Sequence, residues 1–287
     1  MSFLPGNLIV AFAAVSLCLA SQVQAGFEPH LQSFHLLIFS GTLSEYSLHR
    51  LIKYYSLSRT GRKVSSPWMF SNQPVVWLFF LIPLTAFAIS FFYVNTVIRW
   101  IILISGLIAL LYSLPLKGPA GFLSLRGIPF LKTFLVALVW SLTTVLVPLA
   151  GNSGGIPEGK ISWIFIERFF LIFPLALLFD ILDMVQDREE GIRTIPVVFG
   201  EKMTRKLVVR TVLLFIFIYP LVTGTFDFHS HFVPAILWSL PVLWFIYRRS
   251  DSENPLRYSL LLDGSLILYG LVVIAGGYFY NHLFPFQ

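Results

Sequence analysis

Nine apolar runs, separated by short stretches rich in proline, glycine and charge, leave this chain few ways to fold. They fall at roughly 6–25, 31–53, 74–94, 97–114, 131–150, 162–180, 206–223, 232–248 and 256–280. A helix rises 1.5 Å per residue, so about twenty apolar residues cross the ~30 Å of hydrocarbon in a bilayer. The stretches Val75–Val94 and Leu207–Thr223 carry at most one charge each. A membrane β-barrel would instead show short segments of alternating polarity. Hydrophobic residues make up 56% of the 287 residues and charged residues 12%, too little polar surface to cover a water-soluble globule of that size. The expectation is an all-α membrane protein, a bundle of about nine transmembrane helices in a single domain over residues 1–287.

The basic residues give the bundle an orientation. If there are nine spans, 17 of the 20 Lys and Arg residues fall on the side that also holds the N-terminus, and Arg99, Lys160 and Arg168 fall on the other. The positive-inside rule then places the N-terminus in the cytoplasm and the C-terminus outside, in a multi-pass protein of a bacterial inner membrane. The net charge of +6 sits in short loops beside apolar runs, where anionic headgroups explain it better than a nucleic acid does. Residues 1–26 imitate a signal peptide, with an apolar core and a Val23-Gln24-Ala25 ending, but no Lys or Arg precedes Arg50, so the segment reads as a first span. The single cysteine, Cys18, excludes an internal disulfide and a thiolate metal cluster.

The sixth run ends in Phe179-Asp180-Ile181-Leu182-Asp183-Met184-Val185-Gln186-Asp187. On a continuing helix, Asp180, Asp183 and Asp187 lie within an arc of about 60°, so three like charges share one stripe. Such an arrangement is tolerable with a cation between the acids, and hard oxygen ligands favour Mg²⁺ shared with phosphate oxygens. The other reading is a solvated helix end whose acids pair with Arg188, Arg193 and Lys202.

The chain continues Gly191-Ile192-Arg193-Thr194-Ile195-Pro196-Val197-Val198-Phe199-Gly200. Asp-x-x-Asp-x-x-x-Asp followed by Gly-x-x-Thr-x-Pro-x-x-x-Gly resembles the second aspartate motif of the UbiA-type intramembrane prenyltransferases. Tyr112-Ser113-Leu114-Pro115 at the end of run four and Asp263-Gly264 in run nine fit the same pattern. The resemblance implies a helical bundle with a lateral cavity, in which aspartate motifs hold Mg²⁺ against the diphosphate of a polyprenyl donor. Departure of the diphosphate then leaves an allylic carbocation, captured by a lipophilic acceptor, commonly an electron-rich aromatic ring. It implies Asp180, Asp183 and Asp187 as catalytic metal ligands. The implied substrate-binding residues are His49, Arg50, Lys53, Tyr112, Arg126, Lys132, Arg193 and Asp263, with Mg²⁺ as cofactor and membrane lipids as surroundings.

The family's first aspartate motif belongs at the end of the second run, which here reads Thr42-Leu43-Ser44-Glu45-Tyr46-Ser47-Leu48-His49-Arg50-Leu51-Ile52-Lys53. It contains no aspartate. Either Arg50 and Lys53 meet the donor phosphates directly, as desolvated cations do well, or they are headgroup anchors and the chemistry has changed or been lost. A non-catalytic relative that binds lipid or serves as an assembly subunit is therefore the alternative function. Glu45 and His49, four apart, suit a mutual hydrogen bond as readily as a catalytic pair. Lys117, Arg126 and Lys132 are candidates to cap a phosphate site or to set topology. His229 and His231 form a His-x-His in a short loop that reads as solvated. A transporter is disfavoured because the acids cluster at an interface and not at the midplane.

Overall fold

The structure is a computed structural model that describes residues 3–59, 73–113, 130–152, 155–189, 191–223, 228–247 and 255–283. Among these residues all regular structure is helical. In chain order the helices are α1 (Phe3–Ala25), α2 (Ser33–Arg59), α3 (Gln73–Phe92), α4 (Thr96–Ser113), α5 (Leu131–Ala150), α6 (Glu158–Leu182), the short α7 (Met184–Glu189) and α8 (Ile195–Phe199), then α9 (Glu201–Thr223), α10 (Val233–Tyr247) and α11 (Pro255–Leu283). Each expected apolar run coincides with one of the longer helices. Five of these helices are long and apolar enough to cross a membrane, as an integral membrane protein requires. Where α5 and α10 depart from α-helix they do so in π-helical turns, Leu142–Leu146 inside α5 and Phe228–Phe232 leading into α10.

Lipid tails are as apolar as leucine, so the bundle is held by close packing and by hydrogen bonds between helices. Of the apolar stretch of α1, 61% is buried inside the protein, against 17% for that of α3. The first helix is thus a central strut, and α3 is peripheral. The largest core joins Leu17 and Ala20 of α1, Leu171 and Leu178 of α6, Phe215 of α9, Trp238 of α10 and Tyr269 of α11.

The tightest approach is between α1 and α11. A Cβ on Gly270 would lie 2.1 Å from the Ser16 Oγ and 2.7 Å from the Ser16 carbonyl oxygen, and one on Gly277 would lie 2.4 Å from Val23 Cγ1. Residues seven apart on one helix meet residues seven apart on the other, a small-residue seam that lets backbones touch. The Ser16 hydroxyl uses the proximity to donate to the Ile267 carbonyl at 3.3 Å. Because backbone cannot yield, Gly270→Val is expected to cost ~1–3 kcal/mol of stability through overpacking. Gly106→Ala, where nothing lies within 4 Å, should be near neutral. Thermal unfolding of the two variants in detergent checks the contrast, and equal melting temperatures would refute the seam.

Candidate functional site at the end of the sixth helix

The aspartate segment departs from the expected continuous helix. α6 stops at Leu182, Asp183 adopts φ −89° and ψ −1°, and α7 begins at Met184. Hydrogen bonds still span the break, from Asp183 N–H to the Phe179 carbonyl at 2.9 Å and from Asp187 N–H to the Asp183 carbonyl at 2.8 Å. The interruption is a single-residue kink. Its effect is to divide the acids: Asp180 and Asp187 are buried, whereas the Asp183 side chain is 52% exposed.

All three face one cation. Lys132 Nζ lies 2.9 Å from Asp180 Oδ1, 3.0 Å from Asp187 Oδ2 and 3.7 Å from Asp183 Oδ2. Thr133, the next residue, donates its hydroxyl to Asp180 Oδ2 at 2.6 Å. Like charges on one stripe are thus made tolerable from within the protein. The partner is a residue of α5, not Arg188, Arg193 or Lys202 as the helix-end reading supposed; Arg188 and Arg193 are exposed.

The following loop explains its own motif. Gly191 at φ +73° ends α7, with the Ile192 N–H bonded back to the Asp187 carbonyl at 2.8 Å; glycine adopts this left-handed turn without steric cost. Pro196 occupies the first turn of α8, where a missing N–H is harmless. Gly200 at φ +80° stops α8 and lets α9 start at Glu201. Thr194 is buried, and its hydroxyl has no hydrogen-bond partner among the described residues.

That loop also fixes Lys132. The Phe130 N–H donates to the Arg193 carbonyl at 3.2 Å, and the Phe130 ring stacks on Phe199 with centroids 5.5 Å apart. Phe130 pays for this with φ +66°, a strained conformation for a bulky residue. The start of α5 is therefore pinned to the loop behind the aspartates, two residues before the lysine that enters them.

The other candidates are dispersed or lie outside the description. On α2, His49 Nε2 stands 3.9 Å from Glu45 Oε1, with both side chains about half exposed. Arg50 and Lys53 lie on the same helix, but their side chains, like that of Tyr112, are outside the described residues, and so is Arg126. Arg193 contributes its carbonyl to Phe130. Asp263 is buried in α11 and has an interaction partner.

A second polar cluster escaped the sequence reading. Glu167 and Arg168, thirteen and twelve residues before Asp180, lie about 20 Å from it along α6 and are buried in the bundle. Glu167 accepts hydrogen bonds from Tyr269 OH at 2.5 Å and Gln24 Nε2 at 3.0 Å, and its Oε1 meets His231 Nδ1 at 2.8 Å. Arg168 donates to the Leu17 carbonyl at 3.0 Å, to Ser21 Oγ at 3.1 Å, and to Thr144 Oγ1 and Gln24 Oε1 at 3.4 Å. One expectation fails here: His231 is not solvated but almost wholly enclosed, and Arg168, counted with the charges of the outer side, is enclosed as well. The π turn in α5 contributes as well, since the Thr144 carbonyl accepts the Ser21 hydroxyl at 2.8 Å. The available signal was the Glu-Arg pair inside an apolar run, because ionisable residues at such depth must face the interior and find partners.

A family model described as the UbiA prenyltransferase family matches residues 69–265. The chain belongs to the UbiA prenyltransferase family. The match begins beyond α2, so the stretch that lacks the first aspartate motif lies outside it. Solved structures agree in fold with this UbiA-family chain. A UbiA homologue from Archaeoglobus fulgidus bound to GPP and Mg²⁺ is 18% identical with a TM-score of 0.60, over 96% of this chain and 100% of that one. The same homologue bound to DMAPP and Mg²⁺ gives 18% and 0.59, over 94% and 98%. A structure concerning digeranylgeranylglyceryl phosphate synthase gives 17% and 0.53, over 96% and 99%. At these identities the likeness is one of fold. No curated protein sequence gives a significant match.

The donor set of this UbiA-family chain fits a divalent ion of a particular kind. Among the described residues, no three carboxylate, imidazole or thiolate side chains stand together as a self-sufficient metal site. Mg²⁺, however, is commonly bound by one or two carboxylates, with substrate phosphates and water completing the octahedron. Asp180 and Asp187 present two buried anionic oxygens to one point, and the exposed Asp183 stands beside them.

Proposed function

We propose that this protein is a membrane prenyltransferase that transfers a polyprenyl group from its diphosphate to a lipophilic acceptor such as an electron-rich aromatic ring. In this reading the chain forms one domain, with the aspartate site on the cytoplasmic side, the N-terminus inside and the C-terminus outside a bacterial inner membrane. The observation that carries the proposal is the convergence of Asp180, Asp183 and Asp187 on a single cationic point in a chain of this family. Those three residues would hold Mg²⁺, which when bound neutralises charge on the diphosphate and makes it a better leaving group.

The protein's own groups do the rest. The kink at Asp183 aims one carboxylate outward, toward an arriving phosphate, while Asp180 and Asp187 stay fixed. Thr133 locks the orientation of Asp180. Lys132 supplies a positive charge within reach of the position where the leaving diphosphate gains negative charge, which favours its departure. Arg193, Arg126, Tyr112, His49, Arg50, Lys53 and Asp263 remain the candidate contacts for the remainder of the substrates.

A second reading, a non-catalytic lipid-binding member of the family, is favoured by one observation: Glu45 of α2 stands against His49 where the family's first motif would present aspartates. Geranyl diphosphate binding across a range of Mg²⁺ concentrations separates the two. Binding by the parent should depend on Mg²⁺, and Asp183→Asn should weaken it by about tenfold or more. Because Asp183 is half exposed, little stability should be lost with it. Glu189→Gln, an exposed acid of the same segment, should behave like the parent. Binding that is absent or indifferent to Mg²⁺ would remove the transferase reading.

A further inference from the structure

We infer that Lys132 is an internal competitor for the metal: its ammonium closes the aspartate cluster to a lone divalent ion and yields when a diphosphate arrives. The inference rests on the reading of this site as one for a prenyl diphosphate and adds an order of events to it.

The geometry supplies the competition. Lys132 Nζ occupies the point on which the carboxylates converge, within 3.0 Å of two of them and 3.7 Å of the third. A Mg²⁺ ion needs those same oxygens at about 2.0–2.1 Å. An ammonium and a dication cannot share that point, through both sterics and charge. The carboxylates lose the ammonium's charge when the lysine withdraws, so the cluster then attracts another cation.

The mobility needed is confined to the side chain. The backbone ahead of Lys132 is tied by Phe130 to Arg193 and Phe199, and Thr133 behind it is tied to Asp180. Between these anchors runs a flexible four-carbon stem with a point charge at its tip. A diphosphate offers oxygens to the metal and to the displaced ammonium together. Neither the divalent ion nor the diphosphate alone gives the lysine a new anionic partner and the carboxylates a new cation; only the pair does. Divalent ion and diphosphate should therefore bind with positive coupling, equal in both directions by linkage.

The experiment measures Mn²⁺ binding from the electron paramagnetic resonance signal of the free ion, with the full chain in nanodiscs, with and without geranyl diphosphate. For the parent, geranyl diphosphate should tighten Mn²⁺ binding by about tenfold or more, within the usual range of coupling between sites. Lys132→Met should bind Mn²⁺ alone about tenfold more tightly than the parent and keep only the weaker coupling that direct phosphate–metal ligation supplies. Lys132→Gln serves the same purpose if the Met variant does not fold. Arg188→Gln removes a neighbouring positive charge that is exposed, and it should leave both quantities near the parent's. If Lys132→Met retains the parent's affinity and coupling, or if Arg188→Gln tightens Mn²⁺ equally, Lys132 is no competitor and the inference falls while the transferase reading stands. If the parent binds no Mn²⁺ even with geranyl diphosphate present, the metal-diphosphate reading itself has failed and the inference fails with it.

Discussion

Arg168→Met is expected to leave little folded protein, with a loss of about 3–5 kcal/mol, the scale of breaking a buried charge arrangement from one side. The guanidinium serves four acceptors on α1 and α5, namely Leu17, Ser21, Gln24 and Thr144. Its removal strands them and takes the guanidinium's charge away from the neighbouring buried Glu167 carboxylate in a low-dielectric interior. The charge-neutral double variant Glu167→Gln with Arg168→Met should recover a substantial part of the loss, because the stranded charge goes with its partner. Thermal denaturation and size-exclusion elution in detergent report both outcomes. A double variant no better than the single one would show that packing of the arginine stem, and not charge balance, is what matters.

The largest effect on turnover is expected from Asp180→Asn. An asparagine keeps an acceptor for the Thr133 hydroxyl but loses the charge that faces Lys132 and that would face a metal. If it turns its amide toward that point, it offers a donor to a cation. Removal of one preorganised electrostatic group at a reacting centre costs about 10²–10³ in rate, and prenyl transfer from geranyl diphosphate should fall by at least the lower figure. Thr133→Val removes only the 2.6 Å hydrogen bond and should cost less than about tenfold, through looser positioning. Similar losses from the two variants would mean that Asp180 acts by holding α5 and α6 together. A near-parental Asp180→Asn would exclude it from the site.

What could be read from the sequence follows the distance over which each feature is determined. The apolar runs are local and were legible, with ends displaced by a few residues; α6, for example, starts at Glu158 where the run began near 162. The aspartate spacing and the glycines at 191 and 200 are local too, and the structure gives both glycines the positive φ that explains them. Lys132 was legible as a candidate, but not its role, because its meeting with the acids depends on α5 packing against α6 across more than forty residues of chain. The Glu167 network was not legible. Its members Gln24, His231 and Tyr269 stand 143, 64 and 102 residues away from it, and nothing in the local pattern of His229-Ser230-His231 distinguishes a buried imidazole from a wet one.

The central position of α1 also sets a timetable for assembly during synthesis. It leaves the ribosome before α2 to α11, yet its polar groups are satisfied by those later helices. Asn7 bonds Ser47, Ser21 bonds the Thr144 carbonyl, Gln24 bonds Glu167 and Tyr269, and Ser16 bonds the Ile267 carbonyl 251 residues on. Until α11 is inserted, the nascent bundle holds an unfinished polar seam in hydrocarbon, where unsatisfied groups cost most. The bundle therefore closes only once α11 has been made. Chains truncated before residue 255 should accumulate as inserted but open intermediates, the natural clients of membrane quality control.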